Sequence, residues 1–154
     1  RRIGRGQPGW RAAPQVYEPV RMFVYRVRKE VMPTGAKMGE IPWTVVINPK
    51  ITPLTDEKKA YWERCLSLPG LYGQVRRFTK IRFDAVGLDG AGIAITAHRF
   101  HARLLQHEYD HLDGILYPMR MEDMSTLGYV TELGPAAYPL LPRDADDFVD
   151  PTSV

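Results

Sequence analysis

Along most of this chain apolar positions come in short runs of strand character, and only once do they take up a helical period. Residues 1–13 are rich in Gly, Pro and Arg without apolar periodicity, and read as a loop that runs into Ala12-Ala13-Pro14-Gln15. The run Val-Arg-Met-Phe-Val-Tyr-Arg-Val at 20–27 is dense in β-branched and aromatic residues and predicts a strand. Residues 28–42, with Gly35, Gly39, Pro33 and Pro42, predict an exposed loop. A short strand is expected at 43–47, stopped by Asn48-Pro49, with a second extended piece at 50–54. Polar residues 55–59 read as a turn, and so does Leu68-Pro69-Gly70. Residues 74–86 mix Phe78, Ile81 and Phe83 with Arg76, Arg77, Lys80 and Arg82, and predict two strands or one bent strand. Leu88-Asp89-Gly90 marks a hairpin turn, from which 91–96 return.

From about Ala97 to Asp113 the period becomes helical. Arg103, Gln106, Asp110 and Asp113 share one polar stripe. Phe100, Leu104, His107 and His111 share a second, and Leu105 with Leu112 points toward the core. Asp113-Gly114 supplies the stop, because glycine takes the left-handed turn that closes a helix. His98 and His101 read as helix-surface residues. Beyond the helix, 115–117 predicts a strand and 121–127 a turn or short helix. There is no internal repeat, and the prolines and acids after Leu133 read as a tail.

A length of 154 residues suits one domain with a real core. No apolar run is long enough to span a bilayer, and the start lacks the apolar segment of a secretory signal. With Cys65 as its single cysteine, the chain forms no internal disulfide, which suits a reducing compartment. The net charge of +3 is a weak indication of nucleic-acid or ribosome contact. Arg1, Arg2, Arg5 and Arg11 crowd the start, while Asp144, Asp146, Asp147 and Asp150 crowd the end. Both groups read as solvated termini.

The chemistry concentrates in Gln106-His107-Glu108-Tyr109-Asp110-His111. His-Glu-x-x-His on a helix is the signature of a metal-dependent hydrolase. Positions i and i+4 share one face, so His107 and His111 can grip one ion, and Glu108 can reach a water beside it as general base. A catalytic ion of this kind takes three protein ligands. His98, His101, the carboxylates and Cys65 are all candidates for the third, although a lone cysteine is more often a small buried hydrophobe.

Together, Ala12-Ala13-Pro14-Gln15, Glu63-Arg64-Cys65-Leu66-Ser67 and Gln106 to His111 resemble, in order, the three motifs of the peptide deformylases. Pro49, the Leu-Pro-Gly segment, Arg77 and Gly114-Ile115-Leu116-Tyr117 also resemble the family, so the likeness extends from about Gly9 to Met121. The resemblance implies an α+β fold, with small antiparallel β-sheets around a central metal-binding α-helix. It implies one deformylase-like catalytic domain at 1–133 and a Pro- and acid-rich tail at 134–154. Cys65, His107 and His111 become the metal ligands, Glu108 the general acid/base, and Gln15 with the backbone amide of Leu66 the oxyanion donors. Phe100, Arg103 and Leu104 match positions lining the family's methionine pocket, against a plain reading as helix packing or, for Arg103, solvation. Glu63 and Arg77 match a buried ion pair bracing the Cys65 loop, against a plain reading as two exposed charges. Asp110 reads either as a partner orienting a ligand histidine or as a solvated residue of the polar stripe.

The implied cofactor is one divalent ion, Fe2+ first and Zn2+ second, as mixed thiolate and imidazole ligation suits. The implied reaction releases formate from N-formylated nascent peptides that begin with formyl-methionine. Transient ribosome contact is expected, but neither direct nucleic-acid binding nor membrane association. The expected compartment is an organelle matrix (mitochondrion or plastid) or a bacterial cytoplasm. The alternative is a weak or inactive relative that keeps the metal and binds a peptide terminus. Three family glycines are replaced: Trp10 stands in the first motif, Arg64 before Cys65, and Arg99 at the start of the helix. Glycine at such places serves close approach or positive φ, so these side chains are expected to border the cleft and shift substrate preference. The family carries an N-terminal helix before the first motif, so the sequence is expected to be a shortened or truncated form.

Overall fold

The structure, a computed structural model, describes residues 10–133 and 145–148. In chain order the strands are β1 (Trp10–Ala12), β2 (Met22–Val27), β3 (Ile41–Pro53), β4 (Lys58–Cys65), β5 (Leu68–Phe78), β6 (Lys80–Val86) and β7 (Gly92–His98). Helix α1 (Arg99–Leu112), strand β8 (Gly128–Tyr129) and the single turn α2 (Val130–Leu133) follow. All pairings are antiparallel and fall into two sheets, one in the order β1-β2-β3-β6-β7 and the other β4-β5-β8. This is the α+β architecture that the resemblance implies.

Alternation explains the larger sheet. Phe23, Tyr25 and Val27 of β2 and Ile81 and Phe83 of β6 point inward and are buried, as a strand period of two requires. They meet Phe100, Ala102, Leu104 and Leu105 of α1 in the main core. The smaller sheet packs Cys65 and Val75 against Tyr117. Helix α1 contacts strands of both sheets. It is therefore buried on most of its surface, including Arg103, Gln106 and Asp110 of the stripe expected to face solvent.

The local differences have physical causes. Asn48-Pro49 does not end a strand. Asn48 takes a left-handed φ of 47° and the β3–β6 register shifts between Ile47 and Lys50, so the dipeptide makes a bulge inside one 13-residue strand. The 55–59 turn is shorter than expected, since Lys58 and Lys59 pair with Phe78 and Arg77. Leu68-Pro69-Gly70 lies within β5, and the turn falls at Leu66-Ser67, one step after Cys65. Residues 74–86 form two strands broken at Thr79 and belonging to different sheets. Residues 10–12, expected as loop, pair with β2, and the strand expected at 115–117 does not form: 115–116 are irregular and Tyr117 opens a 3-10 turn that runs to Arg120. His101 is buried in the core with its Nε2 3.2 Å from the Tyr25 hydroxyl, not on the helix surface.

The helix stop is as expected. Gly114, at φ 71°, donates to the His111 carbonyl and Ile115 to the Asp110 carbonyl, a Schellman closure. No helix among the described residues is long and apolar enough to cross a membrane.

Candidate metal centre

Three elements converge on one buried point. Strand β4 delivers Cys65 just before the Leu66-Ser67 turn, and α1 delivers His107 and His111 one turn apart. The 3-10 turn Ala13–Val16 delivers Gln15. One ligand atom each from Cys65, His107 and His111 lie within 4.8 Å of one another, and all three residues are buried. Around a tetrahedral ion with bonds of about 2.0–2.3 Å, such donors stand ~3.3–3.6 Å apart. Cys65 Sγ is 3.2 Å from His111 Nε2, so the donor set fits a divalent ion that accepts sulfur and nitrogen.

A chain of charges behind His107 fixes its orientation. Glu63 accepts from His107 Nδ1 at 2.9 Å, leaving the other ring nitrogen of His107 to face the centre. The same carboxylate takes a two-pronged bond from Arg77 at 2.9 and 2.9 Å and one from Arg103 at 2.7 Å. Arg77 also donates to Asp110 at 2.6 Å, and Asp110 accepts from Arg120 at 2.8 Å. Burial alone would push the Glu63 carboxyl up. The charge and hydrogen bonds of Arg77, with help from His107, instead hold it well below the usual carboxylate range. The expected Glu63–Arg77 pair is therefore present. Asp110 is a buried partner of Arg77 and Arg120 and not a solvated residue.

Burial likewise works against a charged Cys65, yet the hydrogen bonds and charges of His107 and His111 bring its thiol down to about 5. Glu108 is fully buried, and neither carboxylate oxygen has a hydrogen-bond partner among the described residues. Desolvation raises its pKa to about 7, with the nearby imidazoles opposing. An unsatisfied buried carboxylate is costly, and sites that hold one usually use it.

Gln15 is oriented by its own turn. Its Oε1 accepts from the Ala12 amide at 2.9 Å, which turns Nε2 toward Ser67 Oγ at 3.1 Å, His111 Nε2 at 3.2 Å and Cys65 Sγ at 3.5 Å. Leu66 follows Cys65 in the turn and is exposed, and the Ser67 amide donates to Cys65 Sγ at 3.4 Å. The other expected residues lie along the helix. Phe100 and Leu104 belong to the main core, and Phe100 stacks on Phe148 with ring centroids 4.5 Å apart. Arg103 is not solvated. Its guanidinium donates to Glu63, to the Val75 carbonyl at 3.0 Å and to the Lys59 carbonyl.

Of the replaced glycines, Arg99 adopts a left-handed φ of 45°, the conformation glycine takes freely. Arg64 lies within β4 and reaches the Tyr72 hydroxyl at 3.4 Å. Trp10 pairs with Tyr25 through its backbone, while its side chain lies outside what is described. The sequence reading gave no role to Ser67, though it closes the motif around Cys65, nor to Tyr117, whose buried hydroxyl has no hydrogen-bond partner among the described residues. It also missed Asp147 and Phe148. Asp147 is 1% exposed and Phe148 0%, against the expectation of a solvated acidic end.

Fold and site together define an α+β protein with a buried thiolate–imidazole centre of the His-Glu-x-x-His hydrolase type. Residues 10–126 match the polypeptide deformylase family. The chain is 45% identical over 124 residues to peptide deformylase 1 of Nitrosomonas europaea, covering 80% of this chain and 69% of that protein. It is 41% identical over 137 residues to peptide deformylase 2 of Ralstonia nicotianae, covering 88% and 73%. A crystal structure of a peptide deformylase from Synechococcus elongatus in complex with actinonin superposes with a TM-score of 0.65 at 31% identity. That match covers 76% of this chain and 58% of the solved one, so the chain spans about three fifths of its length. The chain belongs to the polypeptide deformylase family. Deformylases are metal-dependent hydrolases that act on N-formylated nascent peptides, and the likeness extends to bacterial and plant members.

Proposed function

We propose that this chain hydrolyses the N-formyl group from the formyl-methionine that begins nascent polypeptides. The observation that carries the reading is the Cys65, His107 and His111 cluster with the buried, unpartnered carboxylate of Glu108 beside it. Cys65, His107 and His111 are the ligands of one divalent ion, with Fe2+ favoured over Zn2+ because the family commonly uses iron. When bound, such an ion polarises a carbonyl and acidifies water.

The remaining work falls to the chain. Glu108 takes a proton at its carboxylate and returns it to the leaving amine, a task suited by a pKa of about 7. Gln15 Nε2 and the Leu66 amide donate to the oxygen on which charge develops. Glu63 holds His107 in one tautomer, and Arg77 and Arg103 hold Glu63. Phe100, Arg103 and Leu104 flank the methionine side chain, which places its pocket toward the N-terminal half of α1. The catalytic unit comprises residues 1–133, with 134–154 appended. Its partners are N-formylated nascent peptides met transiently at the ribosome, in a bacterial cytoplasm or an organelle matrix.

The test is release of formate from a formyl-methionyl tripeptide by protein loaded anaerobically with iron. Glu108→Gln is expected to keep one ion per chain while losing turnover, and Cys65→Ala to lose the ion. A tightly held ion in Cys65→Ala would remove that residue from the ligand set.

A further inference from the structure

The two buried residues of the acidic end are held as a ligand is held. The Asp147 carboxylate accepts from Lys59 Nζ at 3.1 and 3.3 Å and from the Tyr61 hydroxyl, with the Arg99 guanidinium 3.8 Å away. Phe148 stacks its ring on Phe100, and its carbonyl accepts from the Lys37 and Met38 amides at 2.9 and 2.8 Å. Charge, aromatic surface and backbone pairing are thus read at once, by three separate pieces of the body: β4, the first turn of α1 and the loop before β3. The cationic partners are half-exposed, whereas the residue they hold is not: the Lys59 side chain is 43% exposed and that of Asp147 1%.

We infer that Lys59, Tyr61, Arg99 and Phe100 form a docking site for a carboxylate residue followed by an aromatic one, filled in cis by Asp147-Phe148. The occupant covers the part of α1 that begins the Phe100–Arg103 face. The cavity lined by Lys59, Tyr61, Phe100, Arg103 and Asp147 retains only about 10 Å³, no more than one water. Beyond it, an open cleft of about 370 Å³ continues past Lys59, Lys80, His98 and Arg99, where Glu57 is the one acid against three cations, so a net positive surface extends past the docked carboxylate. Tyr61 also lies under the Arg103 guanidinium, 5.2 Å from its ring centroid, and Arg103 holds the Glu63 that orients His107. Insofar as Phe100 and Arg103 flank the substrate side chain, a part that rests on the function proposed above, the docked segment limits what enters there.

The experiment uses the full chain and the labelled peptide Ala-Asp-Asp-Phe-Val, which repeats residues 145–149. A tethered occupant acts at an effective concentration of about millimolar, so a site filled in cis hides from a free peptide. The double variant Asp147→Asn, Phe148→Ala should bind the peptide at least about tenfold more tightly than the unmodified chain does. Peptides with either residue changed in the same way should not bind. Equal binding to both proteins, or none to a variant with native near-ultraviolet dichroism, overturns the docking site.

Hydrogen exchange gives an answer if the double variant fails to fold. Asp147→Asn alone should speed exchange of the Lys37 and Met38 amides, and unchanged protection overturns the proposal. In turnover, Phe148→Ala should lower KM for formyl-methionyl peptides with kcat little changed, whereas an unchanged KM removes the effect on access. Absence of turnover in every variant, with metal bound, counts against the deformylase reading, and peptide binding and exchange then decide the docking site alone.

Discussion

At the scale of single residues, Glu63 has the most to lose. It is buried between two arginines and a histidine, and each of its oxygens serves two of them. Glu63→Gln keeps the shape but removes the charge, leaving Arg103 without its carboxylate and Arg77 with Asp110 alone. Breaking a buried pair in this way costs about 3–5 kcal/mol. Loss of the carboxylate behind a ligand histidine typically weakens metal binding by about 10- to 100-fold. Denaturant titration and chelator competition on the same variant are expected to show both effects. A variant as stable and as tightly metallated as the parent would reduce Glu63 to a spectator.

The gathering of His107, Glu108 and His111 was legible in local spacing, whereas Cys65, one of several candidates by residue type, was singled out only by the family motif around it. Asp110 and Arg103 were harder to read. Their place on a polar stripe suggests solvent, and only the groups that the smaller sheet offers, Glu63 and the Lys59 carbonyl to Arg103 and Arg77 to Asp110, turn it inward.

At the scale of elements, α1 explains most of what was read correctly and most of what was not. Its ends and its inward face followed from periodicity and from Asp113-Gly114. Its burial on further faces did not, because a single helix cannot show how many sheets it meets. His101 bears the consequence. Buried against Tyr25, it has its pKa brought down to about 4, chiefly by desolvation and slightly by His98.

In the unfolded chain an imidazole titrates near 6.5. As pH falls through 6.5 the unfolded state takes the proton first. The stability present above 6.5 is then lost progressively down to about 4, by up to a few kcal/mol. His101→Gln should flatten that acid limb in urea melts between pH 6.5 and 4. A parallel loss in parent and variant would assign the limb to other groups. The strands were legible from alternation, but their boundaries shifted where a special backbone state intervened. Asn48 absorbs a bulge at φ 47°, and Thr79 passes the chain from one sheet to the other.

At the scale of the whole molecule, the centre ties together pieces remote in sequence. Gln15 meets His111 across 96 positions, and Cys65 meets His111 across 46. An ion that binds only the folded arrangement stabilises it by RT ln(1 + [L]/Kd), about 2.7 kcal/mol at a hundredfold excess over Kd. Chelation should therefore lower the melting temperature of the parent and leave that of Cys65→Ala unmoved. An equal drop in both would place the metal's effect elsewhere. The two-sheet topology was reached only through resemblance, because alternation reports which face of a strand is buried but not which strand lies beside it. The buried end at Asp147-Phe148 escaped both routes, since four acids in twenty residues look the same whether solvated or clamped.

The separation of Cys65 from its histidines also has a meaning in time. A ribosome makes β4 well before α1, at about 5–20 residues per second. The thiol is complete before either imidazole that will hold it exists. During that interval of a few seconds Cys65 has the ordinary thiol pKa of about 8.5 and nothing to shelter it. Each new molecule thus passes through a stage in which this thiol is exposed to oxidants, and the emergence of the second histidine ends it.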